Sequence, residues 1–268
     1  MINKTNILSM TLVALALTGV SASATAQSAT GPNKVYIEQV GNSNTVTIEQ
    51  VGGTNNVGGT ATTAATSISA SGITTVLPAA PSSTNYGTIT GSSNTLTMTQ
   101  TGNSNTAQYN IQGNNNVYTS TITGHSNLTS LTIGDANNAL NLRNTVTETV
   151  TGDENMILQN IVGNDITSTV LMTGNLNQVT KELKSTNGIS DITITGNSNV
   201  LNVQQIDASG ANGHNLKEVI AGSFNSITTQ QQGTNDTTVD IRATGSNNTI
   251  TVRTSSSAIV GSATAIVR

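Results

Sequence analysis

The sequence predicts an all-β chain folded as a flattened β-solenoid of stacked strand–turn–strand coils, about 22 residues per coil in two 11-residue arches, able to form cross-β fibres. Three observations carry that expectation. A Gly-x-x-Asn signature recurs on an eleven-residue grid, the residues between signatures alternate apolar and polar, and amides recur at one inward phase.

The signature pairs Gly41 with Asn44, Gly52 with Asn55, Gly91 with Asn94, Gly102 with Asn105, Gly113 with Asn116 and Gly124 with Asn127. It returns as Gly152 with Asn155, Gly174 with Asn177, Gly196 with Asn199, Gly222 with Asn225 and, one residue late, Gly245 with Asn248. Gly163 and Gly233 fall on the grid without the Asn, and Ser185 holds the Gly position between Gly174 and Gly196. Because eleven is odd, a two-residue period cannot run through the repeat. The turn must absorb one step, and glycine can take positive φ without steric cost. All thirteen of these glycines are therefore expected in turns.

Between turns, alternate positions read Asn44-Val46-Ile48-Gln50, Asn94-Leu96-Met98-Gln100, Asn199-Leu201-Val203-Gln205 and Asn225-Ile227-Thr229-Gln231. The intervening residues are mostly Thr, the pattern of strands with one buried face. An eleven-residue repeat also describes a right-handed coiled coil, but a Gly in every repeat and heavy Thr and Asn use oppose a helix. A buried amide without partners is costly, and a stack resolves this when each amide bonds its equivalent one coil away. The predicted ladder comprises Asn44, Gln50, Asn55, Asn94, Gln100, Asn105, Asn116, Asn127, Asn155, Asn177, Asn199, Gln205, Asn225, Gln231 and Asn248.

Residues 1–26 read as a cleavable export signal, with Lys4, an apolar stretch from Ile7 to Val20 and the small-residue site Ala24-Thr25-Ala26. A short leader spans 27–34 and a first repeat 35–56. An Ala/Thr/Ser insertion with Pro78 and Pro81 spans 57–86, repeats fill 87–254, and 255–268 is a tail. The tail reads either as a last strand or as a separate docking element. Smaller irregularities of spacing fall at 134–151 and 207–221.

Composition narrows the function classes. The chain has no cysteine, 8% charged residues, 2% aromatics and a formal charge of −4. Disulfides are excluded, and stability must come from backbone ladders. No basic stripe marks a nucleic-acid or anionic-membrane partner, and no stretch after the signal is long enough for a membrane helix. His125 and His214 stand apart, and Asp153-Glu154 sits in a turn, so neither a metal, another cofactor nor an enzymatic activity is expected. Outward runs such as Thr95-x-Thr97-x-Thr99 and Thr119-x-Thr121-x-Thr123 offer an alternative, an ice- or surface-binding solenoid, with Glu49, Asn160 and Lys184 expected to interrupt the array.

The combination Gln39-Val40-Gly41-Asn42-Ser43-Asn44, followed by Gln50 and Asn55, resembles the repeat of the curlin subunits of bacterial amyloid fibres. Asn94 with Gln100 and Asn105, Asn199 with Gln205, and Asn225 with Gln231 are matching pieces. Unlike that repeat, this chain has Ser or Thr where the family often has Gly before the Asn. It has Ile111, Ile122 and Ile194 at Gln positions and Lys181 at an inward one. The resemblance implies a structural subunit, exported through the periplasm to the bacterial cell surface, that contributes to biofilm matrix and adhesion. It also implies a nucleator subunit and outer-membrane secretion machinery as partners besides the chain itself. A minor, nucleating role is the alternative within that reading.

Overall fold

Alternating β-branched and polar residues leave each segment one apolar face, and two such faces close on each other as paired sheets. The structure, a computed structural model, describes residues 10–14, 21–27, 31–58, 67–69, 72–74, 86–134, 143–162, 164–183, 189–207, 215–233, 237–245, 247–255 and 261–267. Among the described residues there is no helix, and the strands form a β-solenoid of two parallel sheets.

The first sheet runs Met10–Ala14, Lys34–Val40, Asn56–Gly58 together with Gly87–Thr90, Thr106–Gln112, Leu128–Ile133, Met156–Ile161, Lys181–Glu182, Val203–Asp207, Ser226–Gly233 and Thr249–Ser255. The second runs Ser21–Gln27, Thr45–Val51, Thr95–Thr101, Val117–Thr123, Thr145–Thr151, Thr167–Thr173, Ile189–Thr195, Asn215–Ala221, Thr237–Thr244 and Gly261–Val267. The chain passes from one sheet to the other at every turn. Each coil therefore adds one rung to both sheets, as the 22-residue coil predicts.

Register is strict. Val46 lies beside Leu96, Leu96 beside Tyr118 and Tyr118 beside Val146, so each inward position becomes a column through the core. Columns of Val, Ile, Leu and Met fill the space between the sheets.

One rung is split. Asn56–Gly58 pairs with the first half of Lys34–Val40, and Gly87–Thr90 pairs with the second half, Ile37 lying beside Gly87. Residues 59–86 thus leave and re-enter in mid-strand, between two glycines. The insertion expected at 57–86 accordingly begins two residues later. Val57 is fully buried in the core, where it pairs with Val35 and Ala107. Ser67–Ser69 and Gly72–Thr74 form a small antiparallel pair within the insertion.

Both chain ends add rungs. Met10–Ala14 lies on Lys34–Val40 and Ser21–Gln27 on Thr45–Val51, so cleavage after Ala26 would remove the first rung but for Gln27. In the tail, Gly261–Val267 pairs with Thr237–Thr244 and is the last strand of the second sheet.

The outer faces of the two sheets differ. On the second sheet the outward threonines are half-buried or exposed. On the first, outward Gln108, Ser130, Leu158, Asn160, Thr180 and Glu182 are buried as deeply as the core.

Candidate functional site

The turns and their ladders recur at every rung, and their geometry follows from two left-handed residues. The signature glycines hold φ between 100° and 127°, from Gly113 to Gly124, and the residue before each Asn is also left-handed, as at Ser43, Ser104, Leu176 and Phe224 (φ 56° to 61° across Ser126, Ser43 and Phe224). Glycine is required for a second reason: a Cβ on Gly41 would lie 1.8 Å from the carbonyl oxygen of Gly91 in the next coil. Gly163 lies outside the described residues, and Gly233 ends the strand Ser226–Gly233.

Each asparagine does more than bond its equivalent. The Asn105 backbone N–H and its Nδ2 both donate to Asn55 Oδ1, at 3.0 and 3.2 Å, while Nδ2 also donates to the Gly124 carbonyl at 2.7 Å. Its own Oδ1 accepts from the Asn127 backbone at 3.1 Å and from Asn127 Nδ2 at 3.0 Å. An amide supplies one acceptor with two lone pairs and two donors, and this site uses all of them. That explains why a buried polar residue is tolerated at every coil.

Two such ladders run along opposite edges. On the edge where the chain returns to the first sheet, Asn33, Asn55, Asn105, Asn127, Asn155, Asn177, Asn199 and Asn225 form an unbroken series. On the other edge Asn44, Asn94, Asn116 and Asn144 form a shorter one, which ends when the Ile166 N–H donates to Asn144 Oδ1 at 3.0 Å. Asn33 and Asn144 carry no Gly-x-x signature, so the motif alone did not find them. Asn248, in the last rung, departs from the predicted ladder. Its Nδ2 donates to the Thr244 carbonyl at 3.0 Å. The buried Oδ1 of Asn225 has no partner among the described residues.

The residue after each turn glycine builds a further ladder on the outside. The His125 N–H donates to Asp153 Oδ1 at 2.7 Å, and the Asp153 N–H donates to Asn175 Oδ1 at 2.7 Å. His125 in turn accepts from the Asn103 N–H at 3.1 Å, a structural use of both its imidazole and the Asp153 carboxylate. His214 lies outside the described residues.

The glutamine ladder is short. Gln50 Nε2 donates to Gln100 Oε1 at 2.8 Å, and the column continues as Ile122, Val150, Met172 and Ile194. Gln205 and Gln231 are neighbours in backbone register, and their side chains fall outside what the structure describes.

Deeper in the stack lies a buried charged chain. Lys181, inward as the sequence placed it, donates from Nζ to Ser168 Oγ at 2.6 Å. Ser168 donates to Gln159 Oε1 at 3.0 Å, Gln159 Nε2 donates to Glu148 Oε1, and Tyr118 Oη donates to Glu148 Oε2 at 2.7 Å. Glu218 occupies the Glu148 column three rungs on, past Val170 and Ile192. Burial pushes both Glu148 and Glu218 up to about 7. It pulls Lys181 down to about 7 against the attraction of Glu148, Glu218 and Asp191. Counting from Asn144 places Glu148 inward, so missing that asparagine hid the acid. No group of three metal-ligating side chains occurs among the described residues. Among them, no helix is long and apolar enough to cross a membrane.

No protein-family model, curated protein or solved structure matches the chain.

Proposed function

We propose that this chain is the structural subunit of secreted, curli-like functional amyloid fibres, growing by end-to-end stacking of its coils and contributing to biofilm matrix and surface adhesion. One observation carries the reading: both sheets are parallel and in register, and among the described residues their outermost strands pair on one side only. Such strands are templates for another copy, and soluble solenoids cover them with polar or helical caps. The curlin-like motif supports the extracellular setting, the nucleator and the secretion machinery as partners.

The test is dilution of residues 27–268 from denaturant, followed by electron microscopy and fibre diffraction. The expected outcome is unbranched fibres with a repeat of about 4.8 Å along the axis. A chain that stays monomeric for days at micromolar concentration would overturn the proposal.

A further inference from the structure

The outer face of the second sheet carries a grid that neither the ladders nor end-to-end stacking use. In Thr95–Thr101, Val117–Thr123, Thr145–Thr151 and Thr167–Thr173, fourteen of the sixteen outward positions are threonine, Val117 and Leu171 being the other two. Strict register aligns them across strands, as in the central column Thr99, Thr121 and Thr149. The residues expected to interrupt this array lie elsewhere. Asn160 belongs to the first sheet, Glu49 lies one rung before the grid, and Lys184 is outside the described residues. Within the four strands the outward face bears no charge. Asp191 is the first one beyond it, beside Thr169.

The spacings follow from β geometry: about 4.8 Å from strand to strand and about 6.7 Å between alternate residues of a strand. Each threonine presents a hydroxyl that both donates and accepts, with a methyl beside it, on a β-branched side chain with restricted χ1. The grid covers roughly 400 Å², well below the ~800 Å² per partner of a stable protein interface. It also lacks the aromatic and arginine anchors that protein partners use. What such a surface matches is a partner that is itself a rigid lattice of hydroxyl-sized donors and acceptors at comparable spacing. Each contact is weak, and a periodic partner engages all of them at once. Charged groups would impose their own hydration on that lattice, and the grid has none.

We propose that the threonine face of the second sheet binds ice. A single chain carries the whole grid, so the site does not depend on fibre formation. In a fibre it would recur along one side.

The test is inhibition of ice recrystallisation by the freshly diluted chain, with fibre growth followed in parallel. The wild-type chain is expected to suppress crystal growth at micromolar concentration. Thr121→Lys, at the centre of the grid, is expected to lower potency at least about tenfold by interrupting the multivalent contact. Ser226→Lys, on the outer face of the first sheet, should leave potency unchanged. Thr121→Val, which adds no charge and keeps the β-branched shape, guards against a folding defect. It should retain the wild-type circular dichroism spectrum and show a smaller loss than the lysine variant. Fibre growth that persists in Thr121→Lys while ice activity falls separates this site from the assembly ends. A wild-type chain without ice activity overturns the proposal, whether its face proves inert, pairs with a second copy in sedimentation or binds a polysaccharide instead. Equal losses from Thr121→Lys and Ser226→Lys overturn it as well.

Discussion

The two edges of the solenoid are built from the same repeat and have diverged. One edge keeps Gly-x-x-Asn at Gly52, Gly102, Gly124, Gly152, Gly174, Gly196, Gly222 and Gly245, and its asparagine ladder never breaks from Asn33 to Asn225. The other keeps the signature at Gly41, Gly91 and Gly113, then carries Arg143 and Asn144 without the glycine and Ile166 in place of the amide. The longer spacings fall there too: residues 134–144 and 207–215 both join a first-sheet strand to a second-sheet strand. One regular edge is enough to hold register, and the opposite edge is left to vary.

The largest expected effect tests that division directly. Asn105→Leu on the regular edge removes five side-chain hydrogen bonds, three made by Nδ2 and two accepted by Oδ1. Asn144→Leu removes two, one to Asn116 and one from Ile166. At roughly 1–3 kcal/mol for each buried group left unsatisfied, the first should cost more than ~3 kcal/mol and the second about half as much. Urea unfolding of the freshly diluted chain measures both. Equal costs would show that the two edges are equivalent after all.

A second prediction concerns the coils in which the variable edge and the buried charges coincide. Glu148 and Glu218 have folded values of about 7, above their ordinary 4.5. Their contribution is therefore fully present below pH 4.5 and is lost as pH rises through 7. Lys181 has a folded value of about 7, below its ordinary 10.5, so its contribution is present above pH 10.5 and is lost as pH falls through 7. The two windows meet near neutrality, where these three groups stabilise the fold least. Thermal unfolding should show higher stability toward pH 5 and again toward pH 9. The gain should be on the order of a few kcal/mol, since each tenfold change in proton affinity is worth ~1.36 kcal/mol. Hydrogen exchange should place the change around Glu148 and Lys181 rather than around Val46 and Leu96. The combined variant Glu148→Gln, Lys181→Met, Glu218→Gln should flatten the profile, and a steady loss of stability from pH 7 to 5 in the wild type would contradict the assignment.

The smallest expected effect comes from the largest removal. Deleting residues 59–86 joins Gly58 to Gly87 and leaves a continuous strand already in register with Lys34–Val40. Stability should stay within about 1 kcal/mol, because loop length contributes little. Deleting 57–86 instead also removes Val57 from the core and shifts the strand relative to both neighbours, which a circular dichroism melt should report as a clear loss.

Much of this was legible in the residues. The period gave the coil, and the apolar alternation gave the inward columns, Lys181 included. The split rung was legible too. From Gly52 to Gly91 is 39 residues, which is 28 plus one period of 11, so an insertion of 28 residues is implied, the length of 59–86. Other features were hidden for physical reasons. Leu176 and Phe224 are poor left-handed formers, and only the stacked turn forces them there. Asn144 lacks a glycine before it, and with it went the phase that marks Glu148 as buried. The burial of Leu158 and Asn160 on the outside of the first sheet has no signature in an alternating strand.

The ladders also have a direction. On the inner ladder the backbone N–H of each asparagine from Asn55 to Asn225 reaches back to the preceding coil, as Asn127 does to Asn105, while on the outer one the His125 N–H reaches forward to Asp153. The stack is therefore a vector. Its leading face offers inner amide oxygens and outer N–H groups, and its trailing face offers the complement. If copies stack end to end as proposed, this polarity favours a head-to-tail join, a heterologous contact. A filament built this way has unlike tips that extend at different rates, and a molecule that plugs one tip would leave the other growing.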